Sequence, residues 1–257
     1  MISNQPKLSE VYYWMDRDSK SNDDMDRYLL KEEDYRNDLL RHMGETAASI
    51  IHEVRNPLQT VKAFMQVLSR IYKDDQTMNG YSDVVISELD RADNLLSDFL
   101  RFSRSKQDKF EIVNMVDICQ DTVLLIRSHA LLKGISIVDN YPPVLPLISV
   151  DVASIRQVLL NLLTNAIDAC ESGGIISIAV EKNHDELHVM VKDNGQGMDV
   201  EQMHKIFNSF YTTKEKGTGL GLFISKSIAR NHGGDILVGS SPGCGSCFIL
   251  SLPLKKQ

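Results

Sequence analysis

Apolar residues recur alternately four and three positions apart over residues 43–71, which is the spacing of a heptad seam. The seam consists of Met43, Ala47, Ile50, Val54, Pro57, Val61, Phe64, Leu68 and Ile71. Four repeats of this spacing predict one long helix. Pro57 lies inside it, and since proline cannot donate a backbone hydrogen bond, we expect a local bend there.

A second helix with the same spacing follows the polar turn "KDDQTMNG". Its seam consists of Tyr81, Val85, Glu88, Ala92, Leu95, Phe99 and Phe102, and Val84, Leu89 and Leu96 broaden it. Two such helices form an antiparallel hairpin with more apolar surface than one hairpin can bury. We therefore predict that two hairpins associate as a dimeric four-helix bundle.

Strands and helices alternate beyond residue 110. "KFEIVNM" and "GISIVDN" predict strands on either side of a helix over Val116–Lys133. Another helix begins at its N-cap Asp151 and is expected to end at Gly173-Gly174. "IISIAVEKNHDELHVMVKDN" alternates as a hairpin does, and a helix ending at His232 precedes a closing hairpin. The expected fold is an α+β sandwich with helices on one face of a mixed sheet.

The predicted organisation has four parts. They are an acidic N-terminal segment (1–35), the helical hairpin (36–104), a polar linker (105–109) and the α+β domain (110–257). The cluster "VYYWM" at Val11–Met15 interrupts the acidic segment and holds the only tryptophan. This segment is either a disordered tail or a short helix that docks on another surface, such as a separate sensory input protein.

Composition narrows the class of protein. A hydrophobic fraction of 42% is ordinary for a soluble globular chain, and a net charge of −7 argues against nonspecific nucleic-acid binding. No apolar run predicts a membrane span, and the start of the chain lacks a secretory pattern, so we expect a cytoplasmic protein. Cys119 and Cys170 are expected to be small buried residues, and the Cys244-x-x-Cys247 pair to pack on a strand rather than bind metal.

The α+β domain carries three candidate site motifs. In "NLLTNA", Asn161 and Asn165 lie four apart, so both amides leave one face of a helix, where their oxygens suit Mg²⁺. A polar stripe on an amphipathic helix is the alternative. In "VKDNGQGMD", Asp193 ends a strand, and Gly195 and Gly197 allow close approach of backbone to a ligand, although many tight turns look alike.

The third motif, "TTKEKGTGLGLFISKSI", places glycines immediately before a helix. Backbone N–H groups at such a helix start bind phosphate oxygens, and Lys214 adds a positive charge. The glycines are Gly217, Gly219 and Gly221. Their spacing fits neither the P-loop nor the dinucleotide-binding fingerprint.

Together the three motifs resemble those of the ATP-binding domain shared by histidine kinases, gyrase, Hsp90 and the mismatch-repair ATPases. "NLLTNA" is similar to the N box, "DNGQGM" and "GTGLGL" to the two glycine boxes, and "IFNSFYTTK" to the F box of the histidine kinases. The resemblance implies that Asp193 accepts from the adenine amino group, that Asn165 binds Mg²⁺ and that Asn161 helps at the phosphates.

By the same resemblance, residues 207–217 form a mobile lid over ATP, with Thr213 and Lys214 at the nucleotide. This chain has Asn208-Ser209 where the family often has Glu-Pro, a change that removes no implied ligand.

"HEVRNP" resembles the H box of sensor histidine kinases, which makes His52 the expected phosphoryl acceptor on the hairpin. His52 lies between seam positions, so its ring is expected to face solvent, and neutral imidazole offers a lone pair near physiological pH. Glu53 would accept from one ring N–H and stabilise the imidazolium. The resemblance covers roughly residues 36–254 and is nearest to the soluble nitrogen-control and sporulation-type kinases.

The resemblance implies an ATP-dependent protein-histidine kinase that is a homodimer and passes its phosphoryl group to an aspartate of a response regulator or phosphorelay carrier. Asn56, four positions after His52, resembles a phosphatase residue, so a bifunctional or chiefly phosphatase protein is one alternative. A phosphotransfer or scaffold protein with a degenerate nucleotide domain is the other. The intact glycine, asparagine and aspartate positions argue against degeneracy.

Overall fold

The computed structural model describes residues 51, 53–103, 109–214 and 217–254. The acidic N-terminal segment, the predicted acceptor His52 and most of the predicted linker lie outside the described residues. The described part divides into two compact units. One holds the helical hairpin together with residues 209–220, and the other holds residues 109–208 and 221–254.

The hairpin consists of helix α1, residues 53–71, and helix α2, Gln76–Ser103. The backbone stays helical through Pro57. Asp75 ends the turn and accepts hydrogen bonds from the N–H groups of Thr77 and Met78 at 3.0 and 3.1 Å, which satisfies two orphan donors at the start of α2.

Two ion pairs join the helices of the hairpin and agree with its antiparallel register. Arg55 Nε lies 2.6 Å from Asp93 Oδ1, and Lys62, two turns further along α1, pairs with Asp90. Because these pairs are partly exposed, each adds little stability. Large apolar side chains remain exposed, among them Phe64 at 64% and Tyr81 at 67%. The hairpin therefore offers the unburied apolar surface that the sequence predicts.

The second unit is built on a five-stranded mixed sheet. In chain order its elements are β1 (Phe110–Val113), α3 (Met115–Leu132), β2 (Ser136–Asn140), β3 (Ile148–Asp151), α4 (Val152–Ala169), β4 (Ile175–Asn183), β5 (Glu186–Asp193), α5 (Val200–Lys205), α6 (Gly221–Asn231), β6 (Asp235–Ser241) and β7 (Gly245–Pro253). The sheet order is β2-β4-β5-β7-β6, with β2 parallel to β4 and the other pairs antiparallel. The predicted fold class is confirmed.

Helix α4 packs against the sheet because its apolar residues recur at helical spacing. Ile155, Leu159, Leu162 and Ile167 are fully buried. Asp151 caps the helix: Oδ1 accepts from the Ala153 N–H at 3.0 Å, and Oδ2 accepts from the Ser154 hydroxyl at 2.8 Å. The predicted N-cap is therefore confirmed.

The end of α4 differs from its prediction. The helix ends at Ala169, and Cys170 adopts extended backbone before the Gly173-Gly174 turn. Cys170 is consequently half-exposed at the helix end rather than a buried helical residue, whereas Cys119 is fully buried as expected. The sequence also gave no sign of β3, which pairs with β1 in a separate two-stranded sheet.

We expect Asp151→Ala to lower the free energy of unfolding by about 1 kcal/mol, because the first turn of α4 loses its cap. Urea denaturation followed by circular dichroism measures this loss. Asp151→Asn is the matched control, since asparagine caps helices about as well as aspartate. Equal losses in both variants would contradict the capping role.

Candidate functional site

Asn161 on α4 is held by the start of helix α6. Its Nδ2 donates to Ser225 Oγ at 2.9 Å, and Ser225 is buried on α6. A Cβ atom at Gly221 would lie 2.4 Å from Asn161 Oδ1. Because that separation is too short for real atoms, only glycine lets the first turn of α6 come this close to the Asn161 amide. The structure thus brings together the first predicted motif and the end of the third.

Asp193 is a buried carboxylate at the end of β5, with 2% of its surface exposed. Oδ1 accepts from the Gly195 N–H at 2.9 Å and from the Ser246 N–H at 3.2 Å. Burial raises the pKa of this carboxyl above its usual value, and the backbone hydrogen bonds oppose that rise in part. Since both of these bonds end on Oδ1, Oδ2 retains the capacity to accept from a ligand N–H.

Gly195 and Gly197 have a packing reason that the sequence did not reveal. A Cβ atom at Gly195 would lie 2.3 Å from the Ala169 carbonyl oxygen, and one at Gly197 would lie 2.0 Å from that of Ser241. Gly197 also has φ +67, a conformation that other residues rarely adopt. The close approach at both glycines is to the chain's own backbone. Their contact with a ligand stays a prediction.

The end of α4 lies beside the loop that follows β5. The Gln196 N–H donates to the Ala169 carbonyl at 3.1 Å, and Asn194 Oδ1 accepts from the Ile175 N–H at 2.8 Å. The helix that carries Asn161 and Asn165 is therefore joined to the loop that follows Asp193. These residues, together with Gly221, form one candidate site within the second unit.

The remaining residues of the third motif belong to residues 209–220, which group with the hairpin unit. Within that segment the Phe210 N–H donates to the Gly219 carbonyl at 3.0 Å, and the Gly217 N–H donates to that of Lys214 at 3.1 Å. Thr213 is exposed beside Lys214. The segment is thus folded by its own hydrogen bonds, and the roles of Thr213, Lys214, Gly217 and Gly219 at a nucleotide stay predictions.

Residue 207, at the start of the predicted lid, is anchored in the second unit. The Lys226 ammonium lies 4.4 Å from the centre of the Phe207 ring, a cation–π contact. Lys226 lies on α6, so the first residue of the lid is attached to the same helix that holds Asn161.

The donor set suits a hard cation that retains water. Among the described residues no group of three or more histidine, cysteine, aspartate or glutamate side chains could hold a metal by itself. Amide oxygens at Asn161 and Asn165 fit Mg²⁺, which takes few protein ligands and completes its shell with water and phosphate. The residues present therefore fit a magnesium nucleotide.

Two predicted site residues of the hairpin, Glu53 and Asn56, are described by the structure, and both are exposed. Glu53 and Asn56 lie three apart on α1 and both side chains face solvent, so they share one side of the helix. His52 lies outside the described residues.

Sequence reasoning missed two groups at the site. Ser225, the hydrogen-bond partner of Asn161, lies four positions after Gly221 on the inner face of α6, and that spacing could have identified it. The second group is the Ser246 backbone N–H, which reaches Asp193 from β7. A backbone donor carries no side-chain signal, so only the strand pairing reveals it.

Two family models match the chain in the predicted order. Residues 42–108 match the His Kinase A (phospho-acceptor) domain, and residues 150–256 match the histidine kinase-, DNA gyrase B- and HSP90-like ATPase domain. The described helices include none long and apolar enough to cross a membrane.

Curated relatives are similar over most of this chain. Sporulation kinase E of Bacillus subtilis is 34% identical over 90% of this chain and 31% of its own length. Sporulation kinase C of the same organism is 37% identical over 83% of this chain and 50% of its own length. The signal transduction histidine-protein kinase AtoS of Escherichia coli is 35% identical over 85% of this chain and 36% of its own length. The chain thus spans from 31% to 50% of the length of these relatives.

Solved structures have the same fold. Full-length ShkA in complex with AMPPNP aligns over 83% of this chain and 46% of its own, with a TM-score of 0.68 and 26% identity. The histidine kinase ThkA, in its complex with the response regulator TrrA, aligns over 91% of this chain and 68% of its own, with a TM-score of 0.64 and 27% identity. The catalytic domain of ThkA is 31% identical and aligns over 57% of this chain and 96% of its own, with a TM-score of 0.53. With its phospho-acceptor domain followed by an ATPase domain of this type, the chain belongs to the histidine kinase family.

Proposed function

We propose that this protein is an ATP-dependent protein-histidine kinase that phosphorylates its own His52 and passes the phosphoryl group to an aspartate of a response regulator. The observation that carries the proposal is the buried Asp193 carboxylate, whose hydrogen bonds from the Gly195 and Ser246 N–H groups both end on Oδ1. A buried carboxylate with spare accepting capacity favours a ligand that brings an N–H donor, and the amino group of adenine is such a donor.

Asn161 and Asn165 hold the phosphate end of the nucleotide in this proposal, with Mg²⁺ on Asn165. Asn161 is fixed by Ser225 and by the closeness of Gly221, so its amide oxygen has a defined direction. The N–H groups at the start of α6 provide positive partial charge for phosphate oxygens. The relative ShkA, solved with AMPPNP, supports a nucleotide at this kind of domain.

When bound, Mg-ATP supplies the phosphoryl group and the cation that offsets its charge. One ring nitrogen of His52 attacks with its lone pair and forms an N–P bond, while the bond from that phosphorus to the bridging oxygen breaks. Glu53 accepts from the other ring N–H, which fixes the tautomer and stabilises the imidazolium as it forms. Residues 207–217, with Thr213 and Lys214 at the nucleotide, form a lid that excludes water. Backbone N–H groups at Gly217 and Gly219 bind phosphate oxygens.

The partners follow from the same family membership. Exposed apolar side chains along the hairpin, including Phe64 and Tyr81, support a homodimer through a four-helix bundle. The structure of ThkA with TrrA supports a response regulator as the acceptor of the phosphoryl group. A cytoplasmic location is consistent with this partner.

A phosphatase activity toward the same regulator is a second candidate. The observation that favours it is that Asn56 is exposed on the same side of α1 as Glu53. An exposed amide beside the acceptor position could orient a water against the phosphoaspartate of a docked partner. Asn56→Ala would then lengthen the lifetime of the phosphorylated regulator and leave autophosphorylation unchanged.

Incubation of the full chain with Mg²⁺ and γ-labelled ATP should give protein label that is acid-labile and base-stable, as phosphohistidine is. His52→Gln should abolish the label, and Asn165→Ala should lower its rate by about 10- to 100-fold through the loss of a charge-assisted contact. His129→Gln is the matched control, because His129 is exposed elsewhere on the chain. Full labelling of the His52 variant would overturn the acceptor assignment.

Asp193→Asn should have opposite effects on stability and nucleotide binding. Because the pKa of Asp193 is raised on folding, the folded protein binds more protons than the unfolded chain, and ionised Asp193 destabilises it as pH rises above the unfolded pKa. Asparagine keeps an oxygen for Gly195 and Ser246 without the charge. We expect a higher thermal midpoint for the variant at neutral pH, and a gain that shrinks as pH falls into the carboxyl range.

The same variant should bind ATP about 10- to 100-fold more weakly by calorimetry, because its amide NH₂ would face the adenine amino group, donor against donor. Asp199→Asn is the control, since Asp199 is an exposed helix cap. Unchanged affinity in Asp193→Asn would remove Asp193 from the site.

Gly221→Ala should lower the rate of autophosphorylation by about tenfold or more. The new Cβ atom would lie 2.4 Å from Asn161 Oδ1, so the Asn161 amide would have to move. Gly80→Ala is the matched control: the space around Gly80 is open, and alanine in a helix is favoured by about 1 kcal/mol. A fully active Gly221 variant would show that the position of Asn161 does not matter.

A further inference from the structure

The five-stranded sheet is covered on both faces at its centre. All residues of β7 from Gly245 to Leu252 are buried, as are Leu187 to Val191 of β5. Successive residues of a strand point to opposite faces, so an unbroken buried run requires cover on each side. An antiparallel sheet with helices on a single face would instead show alternating burial.

The strand register separates the two faces. Met190 lies opposite Ala179 on β4 and Ile249 on β7, and Ile249 lies opposite Leu237 on β6. With Cys247, these side chains form an apolar cluster to which no described helix contributes a member. We call this side of the sheet the outer face.

The outer face is too well buried to be open. Ile249 is 1% exposed, Met190 6% and Cys247 6%. These fractions are those of a single chain, so the cover is a part of the chain itself.

The polar end of the outer face also lacks a partner. His188 is 1% exposed and lies opposite Ser251, and its Nε2 contacts the Glu186 carboxylate at 3.0 Å. A carboxylate accepts hydrogen bonds, so in the neutral tautomer that matches this contact the proton is on Nε2. Nδ1 is then a hydrogen-bond acceptor, and it has no partner among the described residues. A buried acceptor without a donor is costly. Whatever covers this end should bring an N–H or O–H group.

We propose that the N-terminal segment Val11–Met15 docks on the outer face of its own chain. Val11–Met15 is the apolar cluster of the acidic residues 1–35, which lie outside the described part of the chain. The cluster offers aliphatic and aromatic surface to pack on Met190 and Ile249, and it also carries three hydrogen-bond donors. The donors are the hydroxyls of Tyr12 and Tyr13 and the indole N–H of Trp14. These match the acceptor at His188.

Reach does not limit this docking. About 20 residues separate Met15 from the predicted start of the hairpin, and an extended chain of that length spans up to roughly 65 Å. A domain of about 100 residues has a radius of gyration of only about 13 Å. The segment can therefore cover the sheet while the hairpin takes any orientation.

The single tryptophan allows a direct test in the full-length chain without nucleotide, so the result is independent of kinase activity. Docked Trp14 should emit at shorter wavelength than free tryptophan and resist acrylamide quenching. Ala179→Lys and Leu237→Lys, at half-buried positions of the outer face, should shift the emission to longer wavelength and raise the quenching constant several-fold. Leu124→Lys, on the exposed side of α3, is the control and should change neither quantity.

A second measurement does not depend on charged residues in the sheet. Cys247 should resist a thiol reagent in the parent chain and react in Trp14→Ser, with the site of labelling mapped by mass spectrometry. Exposed Cys244 should react in both proteins and serves as the internal control. Tyr28→Ser, which alters another aromatic residue before the hairpin, should leave Cys247 protected.

Three results would overturn the proposal. The first is acrylamide quenching of Trp14 that is as strong in the parent chain as in denaturant. The second is a shielded Trp14 whose emission and quenching stay the same in both outer-face variants. The third is shielding that disappears on dilution together with the dimer, which would assign the occupant to a second copy of the chain.

Discussion

Burying the charge of Asp193 is the constraint on which the rest of the candidate site depends. A carboxylate with 2% of its surface exposed needs hydrogen-bond donors, and the chain supplies backbone N–H groups from Gly195 and from Ser246 on the neighbouring strand. Bringing those groups close requires glycine: a Cβ atom at Gly245 would lie 2.0 Å from the Asp193 carbonyl oxygen. The glycines around Asp193 are therefore required, first of all, by the packing of the backbone. The same packing leaves one carboxylate oxygen with accepting capacity, which gives the site its chemistry.

The two units solve the problem of apolar surface in different ways. The α+β unit buries Leu159, Leu162 and Ile178 completely within one chain, so its fold is determined without a partner. The hairpin leaves Phe64, Val84 and other seam residues largely exposed, and its inter-helix ion pairs are too exposed to compensate. In the proposed kinase a second copy buries this seam, and such a hairpin is suited to present an acceptor side chain on the flank of a bundle. The self-contained unit is suited to hold a ligand.

The periodicity of the sequence predicted what depends on one element at a time. The helix cap at Asp151, the two hairpin strands β4 and β5, and the seam of the helical hairpin all follow from local spacing. Features that depend on two elements were missed: β3 has four residues and becomes a strand only by pairing with β1. Ser225 matters because α6 crosses α4 at Asn161. The reason for Gly195 lies in the Ala169 carbonyl, 26 positions earlier, which no local pattern can indicate.

The outer face and the candidate site are two sides of the same strands. On β5, His188 and Met190 point to the outer face, whereas Asp193 points to the other side; on β7, the Ser246 N–H that holds Asp193 lies next to Cys247 of the outer cluster. A segment seated on the outer face would therefore restrain the strand pair whose register fixes the distance between Ser246 and Asp193. Since sheet register changes only in whole residues, cover that stabilises the β5–β7 pairing also stabilises the donor geometry at the carboxylate. Packing on the outer face would thus both cover the sheet and hold the Ser246 N–H in place at Asp193.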